Sequence, residues 1–224
     1  ILNEKAEATG QYWMAVGLSY DSVIKLNQWS ANQDFSSLFD QIEAFDGNWA
    51  KKAHFLFPDI SQKLKDLFHH SLLILKTQSD SGGAIIAAND SDILQFNRDH
   101  YSYMWPRDGA LIAYSLDKAG YDDITRKFFE FCAQVLSKEG FLAHKFNPDG
   151  TIGSTWHPCI KEKENIHLPI QEDETALVIF ALWEHYQIHK DLSYVYALYD
   201  TLVLPAANFM LKYRDTRGLP LPSY

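Results

Sequence analysis

The chain of 224 residues is poor in cysteine and in positive charge. It has 2 cysteines, and 20 Lys and Arg against 29 Asp and Glu give a formal net charge of −9. Because contacts to a phosphate backbone need clustered Lys and Arg, this charge balance argues against a nucleic-acid partner. Cys132 lies in an apolar run and Cys159 in a predicted loop, which indicates two free thiols rather than a disulfide framework. Free thiols favour a cytoplasmic location, although extracellular enzymes can also lack disulfides.

Other absences narrow the function further. The sequence has no long apolar run that predicts a transmembrane span, and its first residues are mixed polar and charged, unlike a signal peptide. It contains no phosphate-binding glycine loop, no zinc-binding His or Cys motif and no serine nucleophile motif. His69 and His70 are adjacent on a predicted helix and therefore point in different directions. We predict neither a cofactor nor a metal site, and no membrane partner.

The spacing of apolar residues is helical over most of the chain, and it changes once, near the N-terminus. Residues from Gly10 to Asp21 alternate loosely and carry aromatic and β-branched side chains, which fits a strand or the end of a β-rich region. Helical spacing then begins. We therefore predict two parts, with residues 1–54 ending a β-rich N-terminal region and adding a helical linker, and residues 55–224 forming a helical domain.

The helical domain is predicted as a succession of antiparallel helix pairs with no strand between them, which defines an all-α fold. Pro205 inside the last helix predicts a kink, and Gly120 is predicted to end the helix Arg107 to Ala119. A long loop separates the helix Asp122 to Ser137 from the helix Glu172 to His185. The predicted helices are Phe35 to Phe45, Ile60 to Leu75, Arg107 to Ala119, Asp122 to Ser137, Glu172 to His185 and Leu192 to Tyr213, and the loop is Phe141 to Ile170.

The stretch YSYMWPRDGALIAYSL, from Tyr101 to Leu116, combines aromatic and charged residues in front of an apolar helix. Pro106 suits a first helical turn, so Arg107 and Asp108 are predicted at the exposed end. Their donors and acceptors can satisfy neighbouring sugar hydroxyls. Flat apolar faces for a pyranose ring come from three residues, Trp105, Tyr101 and Tyr103. The alternative is structural: an acid in a first turn favours the helix dipole, and an adjacent Arg is commonly its ion-pair partner.

This stretch resembles the Tyr-x-Tyr-x-Trp-x-Arg-Asp signature of glycoside hydrolase family 15, the glucoamylase-like enzymes. SGGAIIAAND, NPDGTIGSTWHP and LPIQEDETALVIFALWEHY resemble further segments of its prokaryotic members, so the similarity covers roughly residues 55–224. It implies the first part of an (α/α)6 toroid in an inverting, exo-acting α-glucosidase that releases glucose. Trp105, Arg107 and Asp108 would bind the terminal glucose, and Tyr101 would lie near the base and the attacking water.

The resemblance also implies residues beyond that stretch. Gln171 and Asp173 match a Gln-x-Asp pattern of the family, although acids in a first helical turn are usually capping partners. Trp156 and His157 are candidates for a second sugar-binding surface, or Trp156 anchors its loop. In the family the general acid follows the LPSY segment and the general base comes much later. We therefore expect both outside this chain, which would be inactive alone.

Three functions stay open at this point. The implied substrate is an α-glucan or α-glucoside, and the linkage could be that of starch oligosaccharides, isomaltosides, dextran or trehalose. The apolar edge of an incomplete ring would be covered by the rest of the domain or by a second copy of the chain. The alternatives are a non-catalytic toroid that keeps a sugar subsite for regulation, and a helical-repeat interaction module with no sugar site.

Overall fold

The computed structural model describes residues 10–53, 59–89, 101–154, 160–162 and 165–221. The chain divides into two compact units, Ile1–Trp49 and Ala50–Tyr224. Within the described ranges, no helix has both the length and the apolar character that crossing a membrane requires.

The first unit contains helix α1, Tyr20–Ala31, and nearly all of helix α2, Phe35–Ala50. Of the two interpretations of Gly10 to Asp21, the strand is wrong, because residues 10–19 form neither helix nor strand and α1 begins at Tyr20; the end of a β-rich region stays a prediction. A strand needs a neighbouring strand to satisfy its backbone. The chain instead starts a helix, in which Ser19 and Ser22 cap each other's backbone N–H groups.

The second unit is built from helices, as predicted. They are α3, Gln62–Gln78; α4, Pro106–Ala119; α5, Asp122–Val135; α6, Glu174–His189; α7, Leu192–Ala197; and α8, Leu204–Lys212. The all-α fold class is confirmed, and the predicted helices differ from the observed ones mainly at their ends.

Helices α4, α5 and α6 form the centre of this unit. Gly120 adopts a left-handed conformation with φ of 92°, and its N–H donates to the last carbonyls of α4, so α5 returns antiparallel. Helix α6 runs parallel to α4, because Arg107 lies beside Asp173 at their first turns while Asp117 lies beside His185 at their last turns. Both N-termini therefore lie at the same end of the unit.

The interface between α4 and α5 is tightly packed. Phe128, Phe129 and Cys132 are completely buried on α5. A Cβ atom at Gly109 of α4 would lie 2.4 Å from the Phe128 ring, so glycine permits this close approach of the two helices. Burial raises the pKa of the Cys132 thiol far above its ordinary value, as expected for a structural cysteine.

The last predicted helix, Leu192 to Tyr213, is interrupted rather than merely kinked. After α7 the residues Tyr199–Val203 form a π-helical turn, and α8 begins at Leu204 with Pro205 in its first turn. Proline has no N–H to donate to the preceding turn, so it is accommodated at the start of a new helix.

The predicted loop Phe141 to Ile170 contains more structure than expected. A short antiparallel hairpin pairs β1, Ile160–Glu162, with β2, Asn165–His167. Closer to α5, Phe146 forms isolated bridges with Met104 and Ile152. The loop is thereby fastened to the segment that leads into α4.

Candidate functional site

The first turn of α4 is held from two sides. Trp105 is the N-cap residue and Pro106 follows it, as the sequence predicts. Upstream, the N–H groups of Ala87 and Ala88 donate to the carbonyls of Tyr103 and Tyr101 at 2.9 and 3.1 Å. Met104 exchanges two 2.9 Å backbone hydrogen bonds with Phe146 across the long loop. The aromatic segment is therefore a fixed platform.

Arg107 connects the first turns of α4 and α6. Its Nη1 donates to the Gln171 side-chain oxygen and lies 3.4 Å from an Asp173 carboxylate oxygen. Its Nη2 lies 3.5 Å from Asp108. The side chains of Arg107 and Asp108 are 33% and 43% exposed, so both groups remain accessible to a ligand.

The aromatic residues of the platform differ in exposure. Trp105 and Tyr103 are 6% and 8% exposed, whereas Tyr101 is 59% exposed. The Tyr101 and Trp105 rings are 5.6 Å apart, and Tyr103 meets Trp105 edge-on at 5.8 Å. Tyr101 therefore forms the solvent-exposed surface of the platform, and Trp105 and Tyr103 form the buried layer beneath it.

His144 and Lys145 of the long loop contact the layer of Trp105 and Tyr103. Neither was predicted from the sequence to be a site residue. The Trp105 indole N–H donates to Nε2 of buried His144 at 3.1 Å. Lys145 is also buried, with its ammonium 4.3 Å from the Tyr103 ring centre and 5.2 Å from that of Trp105. A cation over ring faces is attracted by the aromatic quadrupole. The sequence feature that could have indicated Lys145 is the position of this lysine within the largely apolar run LAHKF.

The remaining predicted site residues have different outcomes. Gln171 and Asp173 meet Arg107, and Asp173 makes no side-chain capping bond to α6 although it occupies the N-cap position. The structure therefore gives Asp173 the role of an Arg107 partner rather than that of a cap. Trp156 and His157 lie outside the described residues, and their predicted roles stay predictions.

Glu174 is a buried acid close to the rim formed by the side chains of Arg107, Asp108, Gln171 and Asp173. Its side chain is completely buried, and neither carboxyl oxygen has a hydrogen-bond partner among the described residues. Burial raises its pKa to about 9, and nearby Arg107 opposes that shift in part. A raised pKa is typical of a general acid, but a fully enclosed carboxyl group cannot reach a glycosidic oxygen. Glu174 is therefore a neutral structural acid at neutral pH.

Replacing Glu174 with Gln should make the free energy of unfolding less sensitive to a rise in pH between about 4.5 and 9. Because the folded pKa of Glu174, about 9, lies above the value near 4.5 of a free carboxyl group, the folded state holds the proton more tightly. The free energy of unfolding should then fall as pH rises between these values, by no more than about 1.4 kcal/mol per pH unit. In Glu174→Gln this decline should be absent, as measured by urea unfolding at several pH values.

The control for that experiment is Glu139→Gln, which changes an exposed acid of the same unit. Its stability should follow the wild-type pH profile. Parallel profiles for wild type and Glu174→Gln would show that Glu174 ionises normally in the folded protein.

A cavity of about 230 Å³ opens near the rim but does not contain Arg107 or Asp108. It lies between the start of α6 and the C-terminal part of the chain, with Ile170, Phe209 and Tyr213 among its lining residues. Its lining also includes the charged residues Glu172 and Arg214, but none of the site residues predicted from the sequence.

Arg, Asp and Gln side chains form a rim at the paired helix N-termini, over an aromatic platform, and such an arrangement suits the class of helical proteins that bind carbohydrates. The comparisons with known proteins narrow this class. The pattern of glycosyl hydrolases family 15 matches residues 62–217, and the chain belongs to that family.

Two curated relatives are similar to the chain. It is 27% identical over 158 residues to an uncharacterized glycosyl hydrolase from Methanocaldococcus jannaschii, a match that covers 70% of this chain and 22% of the relative. It is 25% identical over 214 residues to a glucoamylase from Clostridium sp., covering 92% of this chain and 26% of that enzyme. The chain thus spans about a quarter of the length of these relatives.

A solved structure of a bacterial glucoamylase in complex with acarbose has a similar fold. The TM-score is 0.68 at 22% identity, with 88% of this chain and 26% of that chain covered. The helices of the second unit therefore form part of an (α/α)6 toroid, as the sequence resemblance implied.

Proposed function

We propose that the protein carrying this chain is an exo-acting α-glucosidase that inverts the configuration of the sugar it releases. The observation that carries the proposal is the position of Arg107, fixed between α4 and α6 with its guanidinium and the Asp108 carboxylate both accessible. Together they offer a planar set of donors next to an acceptor, which matches vicinal sugar hydroxyls. Membership of glycosyl hydrolases family 15 and similarity to a glucoamylase support the reaction class.

In this proposal, each residue of the site either binds the substrate or positions a residue that does. Arg107 and Asp108 bind the hydroxyls of the terminal glucose, and Asp173 with Gln171 keeps Arg107 extended. Tyr101 lies beside the reacting sugar, on the open face of the platform. Trp105 lies beneath Tyr101 in the platform, and its indole is kept in orientation by His144. Trp156 and His157 are proposed for the neighbouring sugar unit.

The catalytic carboxyl groups are proposed to lie outside residues 1–224. Inversion requires one acid to protonate the leaving oxygen and one base to activate water, separated by about 6.5–9.5 Å. Among the described residues near Arg107, Asp108 and Asp173 are its ion-pair partners, and Glu174 is enclosed. None of these three is placed to take either catalytic role.

The product anomer tests the proposed mechanism. When the intact protein is incubated with maltose and followed by proton NMR, the first glucose released from the non-reducing end should be the β-anomer, because water attacks opposite the α-linked leaving group. Residues 1–224 alone should release no glucose. α-Glucose as the first product would rule out inversion, and turnover by residues 1–224 alone would place the acid and base within them.

A further inference from the structure

A second cluster of polar side chains lies at the opposite ends of α4 and α6. It consists of Asp117 on α4 and the pair His185 and His189, spaced one turn apart on α6. The Asp117 and His185 side chains are completely buried, whereas that of His189 is 21% exposed. The sugar-binding proposal uses none of these three residues. The cluster extends from the interior to the surface and has one accessible member.

The three side chains direct potential metal ligands at one another. His185 Nδ1 lies 2.9 Å from each Asp117 oxygen, and His189 Nε2 lies 3.1 Å from Oδ1. In tetrahedral zinc sites, bonds of about 2.0–2.2 Å place neighbouring ligand atoms roughly 3.3 Å apart. The observed separations are a few tenths of an ångström shorter, so small side-chain rotations would admit an ion.

The charge at the cluster favours a cation. Among the described residues, no Lys or Arg lies within ion-pair distance of Asp117; the nearby Arg126 pairs with Asp191 at 2.9 Å and with Asp122. A buried carboxylate is costly unless a positive charge compensates it. Two imidazoles cannot supply that charge while neutral, whereas a divalent ion bound by all three residues can.

The surroundings resemble the outer shell of a metal site. The Thr125 hydroxyl donates to Asp117 Oδ1 at 2.7 Å, which orients the carboxylate. His185 Nε2 is buried without a hydrogen-bond partner among the described residues, and its ring packs against Phe129 and Tyr194. An N–H group is better tolerated against aromatic rings than a bare lone pair. Coordination through Nδ1 would leave that N–H at Nε2.

We propose that Asp117, His185 and His189 form a binding site for a divalent transition-metal ion of the zinc type, which joins the C-terminal ends of α4 and α6. Two imidazoles and one carboxylate suit Zn²⁺ and its neighbours in the first transition series better than Ca²⁺ or Mg²⁺, which prefer oxygen ligands. Three protein ligands leave one position for water on the side of His189. No metal site was predicted from the sequence, because Asp117 lies 68 residues before His185 and the three residues form no contiguous motif.

The test is metal binding by the full chain, freed of any affinity tag and of bound metal. Titration with Zn²⁺ at pH 7.5 should show one ion per chain and raise the melting temperature in proportion to the logarithm of free Zn²⁺. Mg²⁺ at the same concentrations should do neither. Co²⁺ should give the visible absorption of a four-coordinate complex with nitrogen ligands, which a non-specific increase in stability would not produce.

His189→Ala is the decisive variant, because this side chain is partly exposed and its loss should leave the fold intact. It should weaken Zn²⁺ binding about tenfold or more and abolish the Co²⁺ spectrum. His70→Ala removes an exposed histidine of α3 and should bind as the wild type does. Failure of the wild type to bind Zn²⁺, or equal binding by wild type and His189→Ala, would overturn the proposal.

Discussion

Arg107→Ala in the intact enzyme should lower kcat/KM for maltose by about 10²- to 10³-fold, which corresponds to about 3–4 kcal/mol of lost transition-state stabilisation. The guanidinium is proposed to bind the terminal glucose, and its loss also removes the link to Gln171 and Asp173. Because the Arg107 side chain is one third exposed, the melting temperature should change little. Steady-state kinetics and thermal unfolding measured on the same preparation separate the two effects.

Two further variants define what Arg107 contributes. Arg107→Lys keeps the charge but loses the planar set of donors, so it should recover only part of the activity. Arg217→Ala is the matched control, since its side chain is 75% exposed and pairs with Asp215 far along the chain from the site. Its kcat/KM should stay within about twofold of wild type, as is usual for exposed ion pairs. A folded Arg107→Ala enzyme with unchanged kcat/KM would remove Arg107 from the substrate site.

Gly140→Ala should be among the most destabilising single substitutions in the second unit. Gly140 has φ of 94°, and a Cβ atom there would lie 2.2 Å from the carbonyl oxygen of Pro205. Backbone strain and overpacking each cost about 1–3 kcal/mol, so the free energy of unfolding should fall by about 3 kcal/mol or more. Chemical denaturation of the full chain measures this change.

Gly218→Ala separates the two causes. Gly218 also has a positive φ, of 80°, but a Cβ atom added there would meet no other atom within 4 Å, so only backbone strain applies. We expect a loss of about 1 kcal/mol. Equal losses for Gly140→Ala and Gly218→Ala would mean that the loop carrying Gly140 moves away from Pro205 without penalty.

The features that the sequence predicted well are local ones. The start of α4 follows from Pro106 and from the apolar spacing behind it, and the end follows from Gly120. The strand expected near Gly10 was wrong because aromatic and β-branched composition also occurs in irregular segments, and only a partner strand makes a sheet. The π-helical turn before Pro205 likewise depends on packing that no short sequence window contains.

The site was predicted only in part, for the same reason. Arg107 and Asp108 could be proposed from one motif, but Arg107 meets partners 64 and 66 residues away, Gln171 and Asp173. The burial of Trp105 depends on His144 and Lys145 from the long loop. The cluster of Asp117 with His185 spans 68 residues. Chain distance hides such contacts until the helices are placed side by side.

The parallel arrangement of α4 and α6 has an electrostatic consequence for the rim around Arg107. Each helix brings roughly half a positive charge to its N-terminus, and the two ends lie together. The positive charges of the two helix ends and of the Arg107 guanidinium are offset by the negative carboxylates of Asp108 and Asp173. The elevated pKa of Glu174 keeps that group uncharged at pH 7. The charges of these named groups therefore nearly cancel, although the groups offer many hydrogen-bond donors and acceptors. Affinity for an uncharged sugar should be almost independent of ionic strength, because the ligand carries no net charge whose attraction salt could screen.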